Sequence, residues 1–319
     1  MDLGELVTSA PLAARLGVPS GPLFFPVTAY GPDGSVDLDT YRLHVRRGVE
    51  AGAAAVFACC GTGEFHALTP EEFELCVTAA VEAAGGRVPV VAGAGYGTAL
   101  AVRYARLAER AGADGLLAMP PYLVRAGQEG LLRHYRQVAA ATSLPVIVYQ
   151  RDNAVFTPRG VVELARTEGI AGFKDGLGDL DLMQRIVSAV RAEGPGDFLY
   201  FNGLPTAELT QPAYGGIGIA LYSSAVFCFA PEIALACHTA FRTGDTDTAN
   251  RLIDGFYRPF VELRAQGHGY AVSLVKAGVR LRGLDVGEVR PPLHEPAGDH
   301  VKQLARLIER GHALLEEGQ

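Results

Sequence analysis

Pro145-Val146-Ile147-Val148-Tyr149, a helical stretch opened by Thr157-Pro158, and then Ile170-Ala171-Gly172-Phe173-Lys174 decide how the chain is read. Both apolar runs are short and continuous. A strand with one wet face alternates apolar and polar residues, so a continuous run means burial on both faces, as in a parallel sheet. The helix between them is what a parallel crossover needs.

The same unit repeats outward in both directions. Strands are expected at 23–28, 54–58, 88–92, 115–119, 145–149, 170–174, 198–201 and 216–220, with amphipathic helices between them. Thr69-Pro70-Glu71-Glu72 opens one helix with an N-cap, a first-turn proline and early acids. Eight such units are the requirement of a (β/α)8 TIM barrel. The competing architecture, an open doubly wound sheet, lacks its Gly-x-Gly-x-x-Gly turn after the first strand. Gly93-Ala94-Gly95-Tyr96-Gly97 follows the third strand and reads as a tight turn where backbone must approach something closely. Residues 1–19 read as a lead-in helix, so the barrel is expected over 1–230. Helices at 231–242, 246–266, 271–282 and 299–317 form a C-terminal extension over 231–319, packed on the barrel.

Composition narrows the function. The 319 residues are 49% hydrophobic and 20% charged, which supports a sizeable core. The net charge is -7, and the absence of a long basic run argues against nucleic acid as partner. No apolar run approaches the ~20 residues that span a membrane. The residues before Gly21 do not resemble a secretory signal. Cys59, Cys60, Cys76, Cys228 and Cys237 form no Cys-x-x-Cys pair and read as buried free thiols in a reducing compartment. The expected location is the cytoplasm.

In a barrel of this kind chemistry gathers at the C-terminal ends of the strands. Those ends carry Gly61-Thr62-Gly63-Glu64-Phe65, Pro120-Pro121-Tyr122, Tyr149-Gln150-Arg151, Lys174-Asp175-Gly176, Asn202-Gly203-Leu204-Pro205 and Tyr222-Ser223-Ser224. They supply one amine, several hydroxyls and glycine N–H groups. They hold neither a metal-ligand cluster nor a Gly-x-Ser-x-Gly elbow. Lys174 either snorkels from its strand into water or, desolvated, traps a carbonyl as a neutral amine. An amine beside a phenol without a metal points to imine chemistry on a ketone. For several neighbours the structural reading is favoured. Glu64 is a hydrogen-bonder, Asp175 braces a turn, Tyr96 packs, His66 is a packed or surface residue, and Tyr122 caps the pocket or a subunit contact.

Gly61-Thr62-Gly63-Glu64, then Tyr149, then Lys174 resembles the dihydrodipicolinate synthase / N-acetylneuraminate lyase superfamily over nearly the whole chain. Phe25-Pro26-Val27-Thr28, Gly172-Phe173-Lys174-Asp175-Gly176, Gly203-Leu204-Pro205-Thr206-Ala207-Glu208 and Gly269-Tyr270-Ala271-Val272-Ser273 are similar to its decarboxylating sugar-acid dehydratase branch. The resemblance implies Lys174 as imine-former and Tyr149 as proton shuttle. It implies that Thr62 and the N–H groups near Gly61 hold the carboxylate beside the ketone, and that Gly203 and Ser223 line the substrate pocket. Arg151 either orients substrate or pairs with a nearby acid. The implied substrate is a small sugar diacid, 5-dehydro-4-deoxyglucarate, processed without metal or organic cofactor. A homo-oligomer, tetramer or dimer, is implied as well.

Four positions depart from the pattern. Cys60-Gly61-Thr62-Gly63-Glu64 lacks one hydroxyl of the synthase motif Gly-Thr-Thr-Gly-Glu. Leu123 stands where the synthase branch lends a tyrosine to a neighbouring subunit. Gln150 and Cys228 stand where the dehydratase branch is expected to carry asparagine. Two alternatives share the scaffold: an aldolase for 2-keto-3-deoxy sugar acids and a non-catalytic keto-acid sensor.

Overall fold

The computed structural model of the chain describes residues 12–16 and 20–317. Strands β1 (Leu23–Phe24), β2 (Ala55–Ala58), β3 (Val90–Ala94), β4 (Gly115–Ala118), β5 (Val146–Gln150), β6 (Ile170–Asp175), β7 (Leu199–Asn202) and β8 (Leu221–Ser224) pair in chain order. All pairings are parallel, and β8 returns to β1, closing the (β/α)8 barrel. The lead-in helix expected over 1–19 is seen at Leu12–Leu16; its remainder lies outside the described residues.

The continuous apolar runs are buried on two faces, as their composition requires. Phe57, Val91, Leu117, Ile147 and Phe201 fill the barrel interior, while Val56, Val90, Leu116 and Val148 pack outward against the helices. Period-two alternation along each strand separates the two layers.

Four expected boundaries are corrected. The last strand is Leu221–Ser224, not 216–220, because Gly215 and Gly216 end the helix Gln211–Gly216 and Gly218 turns the chain with a φ of +89°. β1 ends at Phe24, just before Pro26, which has no N–H to continue a ladder. Gly93 and Ala94 belong to β3 and not to a turn. The close approach is nonetheless real, since a Cβ on Gly93 would stand 2.3 Å from the Cys59 carbonyl oxygen. The expected helix 246–266 is Thr246–Leu252 and Arg258–Arg264, joined by a π-helical turn at Ile253–Tyr257. Pro259 cannot donate, and a π turn is one way a helix absorbs such a defect.

The C-terminal helices Pro231–Thr243, Tyr270–Leu281 and Gly298–Glu316 complete the chain. No helix of the described residues is long and apolar enough to cross a membrane. One contact ties the extension to the barrel mouth. Lys276 Nζ donates to Glu64 Oε1 at 2.9 Å, with both side chains fully buried. The other Glu64 oxygen accepts from the Arg290 N–H at 2.9 Å, and Lys276 also reaches the Glu288 carbonyl at 2.7 Å. Every charge in this knot therefore has a partner.

Removing one member of a buried pair strands the other. Lys276→Met is expected to lower unfolding free energy by about 3–5 kcal/mol in urea titration. Lys276→Met with Glu64→Gln should cost less than the single change. A single-variant loss below ~1 kcal/mol would show that the pair does not hold the extension.

Candidate active site

Strand register builds the site. Tyr149 pairs with Lys174 across β5 and β6, and Lys174 with Phe201 across β6 and β7. Paired residues in a parallel ladder face the same way, so Tyr149 and Lys174 both point inward. Gln150 and Asp175 form the next pair and point outward.

Lys174 is buried at the top of the interior, 4% exposed. Its Nζ stands 4.1 Å from the Phe25 ring centroid, 4.7 Å from that of Tyr149 and 5.9 Å from that of Phe57. Burial lowers its pKa to about 7, and the Arg151 charge pushes the same way. The snorkelling alternative therefore fails: this amine goes inward.

Tyr149 is held by two groups. Its hydroxyl donates to the Gly203 carbonyl at 2.7 Å and accepts from Arg151 Nη1 at 3.1 Å. Burial raises the phenol's pKa, and Arg151 opposes this. Arg151 thus pairs with the tyrosine rather than with an acid. Two glycines let the amine and phenol pack so closely. A Cβ on Gly203 would lie 2.5 Å from Lys174 Cε, and one on Gly176 would lie 2.9 Å from Tyr149 Cε2.

The turn after β2 forms the opposite wall. Cys59 and Glu64 adopt left-handed φ values of 51° and 54°, and Thr28 Oγ1 donates to the Gly63 carbonyl at 2.6 Å. The Gly61 and Thr62 N–H groups find no acceptor among the described residues. Ordered, unpaired N–H groups suit a carboxylate.

Lys174, Tyr149, Gly61, Thr62, Gly203, Ser223 and Arg151 all line one cavity of about 310 Å3. Four of the wall's other contributors were not read from the sequence as site residues. Cys60 lines it, with a thiol pushed up to about 12 by burial and so neutral. Phe25, Thr206 and Arg264 line it too. Phe25 and Thr206 lie in stretches already singled out, at the ends of β1 and β7. Arg264 comes from the extension, and nothing in its local sequence signals the cavity.

The neighbours read as structural do structural work. Asp175 accepts from the Leu177 and Gly178 N–H groups, from Gln150 and from the Tyr214 hydroxyl. Tyr96 stacks on Phe65 at 5.1 Å, and His66 is exposed. Tyr122 is exposed and meets Tyr96 edge-on. Neither departure from the dehydratase pattern lines the cavity. Gln150 is spent on Asp175 and the Phe156 N–H, and Cys228 on the Phe25 carbonyl. Among the described residues no cluster of His, Cys, Asp or Glu could hold a metal ion.

Two outcomes follow from this geometry. Competitive acetylation read by mass spectrometry should give Lys174 a midpoint near pH 7, because only the neutral amine reacts and its fraction grows as pH rises through that value. A midpoint at the ordinary lysine value of about 10.4 would contradict the burial argument. Gly203→Ala must displace the lysine and should slow imine formation by about 100-fold, the scale of a 1 Å misplacement. Unchanged imine formation would mean that the close packing is dispensable.

Comparison with known proteins agrees with this architecture. The model of the dihydrodipicolinate synthetase family matches residues 19–311. A Streptomyces avermitilis protein described as a probable 5-dehydro-4-deoxyglucarate dehydratase is 83% identical, over 98% of this chain and all of that protein. One from Rhizobium rhizogenes with the same description is 44% identical, over 95% of this chain and 99% of its own length. Among solved structures, dihydrodipicolinate synthase from Bacillus clausii superposes with a TM-score of 0.84 at 28% identity, covering 94% of this chain and 99% of that one. On the family match and the near-complete overlap with these relatives, the chain belongs to the dihydrodipicolinate synthetase family.

Proposed function

We propose that the chain dehydrates and decarboxylates 5-dehydro-4-deoxyglucarate to 2,5-dioxopentanoate, carbon dioxide and water. The observation that carries this reading is the Lys174 amine, buried without a carboxylate partner among the described residues and sharing with Tyr149 a cavity where the N–H groups of Gly61 and Thr62 find no acceptor among them. The names of the relatives support the choice of substrate.

The substrate has a ketone at C5 beside the C6 carboxylate. Gly61, Thr62 and their N–H groups hold that carboxylate, which survives the reaction. Neutral Lys174 adds to C5, and loss of water gives a protonated imine. The positive nitrogen acidifies C4–H. Tyr149, left as phenolate once it has given its proton to the hydroxyl that departs as water in imine formation, takes this proton directly or through water. The resulting enamine expels the C3 hydroxyl as water. A C3=C4 bond now joins C2 to the iminium. The C1–C2 bond breaks, its electrons pass through C3 and C4 to nitrogen, and C1 leaves as carbon dioxide. The enol at C2 becomes the aldehyde after proton transfer, and hydrolysis frees Lys174. Water is lost twice and consumed once, so the sum is one water and one carbon dioxide per substrate.

Arg151 serves through Tyr149. A cation 3.1 Å from the phenol oxygen stabilises negative charge there, which makes the phenolate that receives the proton easier to form in a buried site. Ser223 lines the rest of the pocket. The proposal includes a catabolic role in the cytoplasm and a homo-oligomer. The exposed run Tyr122-Leu123-Val124 supports self-association.

Incubation with 5-dehydro-4-deoxyglucarate should release carbon dioxide. Borohydride with a 2-keto acid should add mass at Lys174, and Lys174→Ala should abolish both while the fold survives. Tyr149→Phe should slow turnover by about 100- to 10,000-fold yet still form the adduct. Pyruvate release without carbon dioxide would favour an aldolase, and no adduct in the wild type a sensor.

A further inference from the structure

The cavity presents two guanidinium groups with different commitments. Arg151 donates to the Tyr149 hydroxyl at 3.1 Å, and its cation lies 5.6 Å from that ring's centroid. Arg264 ends the helix Arg258–Arg264 of the C-terminal extension and lines the same cavity. Its side chain donates to the Thr206 hydroxyl. The carboxylate that acts on its charge is Glu208, which lies behind the cavity wall and is engaged by the Ser224 hydroxyl at 2.5 Å. Burial raises the Glu208 pKa to about 7, so near neutrality it is a partial counter-ion only.

Thr206 carries a second signal. It is buried and β-branched, yet has a left-handed φ of +57°. That conformation is costly for such a side chain and persists where the surroundings enforce it. Here it presents the hydroxyl to Arg264 at the cavity wall. Thr206 lies three residues beyond Gly203, which abuts Lys174 Cε. The Arg264–Thr206 pair therefore stands on the β7 side of the amine, while the Gly61–Thr62 turn stands at the end of β2.

We propose that Arg264, held by Thr206, binds the second carboxylate of a diacid whose first carboxylate lies at Gly61–Thr62, and so selects dicarboxylic over monocarboxylic keto-deoxy acids. This rests on the imine reading above and names the group that reads the far end of the substrate. Because that carboxylate leaves as neutral carbon dioxide, an ion pair to it stabilises bound substrate more than the transition state. Arg264 is thus a specificity residue. Its removal should raise KM without lowering kcat in proportion.

Borohydride trapping at Lys174 reads this directly, with three probes compared by half-saturating concentration: 5-dehydro-4-deoxyglucarate, 2-keto-3-deoxygluconate (the counterpart with a terminal hydroxymethyl group) and pyruvate. Wild type should prefer the diacid over the monoacid. Arg264→Met should cut that preference by about 10- to 100-fold, the worth of one charge-assisted hydrogen-bonded contact, and still trap pyruvate. Arg264→Lys should recover part of the preference, and Thr206→Val should lower it. These two carry the test if Arg264→Met loses pyruvate trapping by misfolding. An unchanged preference in variants that trap pyruvate overturns the inference, as does a fall in kcat with KM unaltered. Failure of wild type to trap any probe overturns the imine reading, and this inference with it.

Discussion

A lysine that acts as a nucleophile near neutral pH must be kept from water and from carboxylates at once. A carboxylate would hold it protonated, and open solvent would leave its pKa where it began. The barrel meets both demands at Lys174. Phe25, Phe57 and Tyr149 surround the amine. The acid next to it in sequence, Asp175, points the other way because strand side chains alternate. The aromatic faces favour the ammonium by about 1–2 kcal/mol. Burial acts against them and prevails, leaving the pKa at about 7.

The rest of the mouth follows from holding that amine still. Gly203 has no Cβ because Lys174 occupies the space, and its carbonyl fixes the Tyr149 hydroxyl. A phenol bound in this way already spends its proton on an acceptor. Arg151 opposes the rise in pKa that burial imposes on it. The Gly61–Thr62 turn after β2 is fixed from outside the barrel, since Glu64 takes a hydrogen bond from Arg290 and an ion pair from Lys276. The extension is therefore joined by a buried charge to the turn that lines the cavity.

The barrel was legible because its signal is redundant. Eight apolar runs and their intervening helices agree, and a wrong boundary such as 216–220 for β8 leaves the count intact. Lys174, Tyr149 and the Gly61–Thr62 turn were legible because each ends a strand, and strand ends converge in a closed barrel. Arg264 was not legible. It lies beyond a π turn on a helix whose pattern reads as ordinary packing, and only the docking of that helix brings it to the cavity. The break in that helix was hidden too, because Pro259 in a helical pattern marks a defect without saying how the chain absorbs it. Gln150 and Cys228 show the converse. They stand where the dehydratase branch is expected to carry asparagine, yet neither lines the cavity, and they hold Asp175 and the Phe25 carbonyl.

The chain has lysines only at 174, 276 and 302, and the first two are both buried. Composition does not separate them, but partners do. Lys276 lies 4.0 Å from the Tyr30 ring centroid, much as Lys174 lies over Phe25. Burial lowers the pKa of each. Only Lys276 has a carboxylate, Glu64, opposing that shift at 2.9 Å. The pair makes Lys276 a strut whose charge is needed for docking. Its absence leaves Lys174 free to lose a proton near neutral pH, as the proposed imine chemistry requires. An acid placed beside Lys174, for instance at the inward position of Phe201, would make it a second strut. It would keep the fold's burial and its aromatic shell and lose the neutral amine.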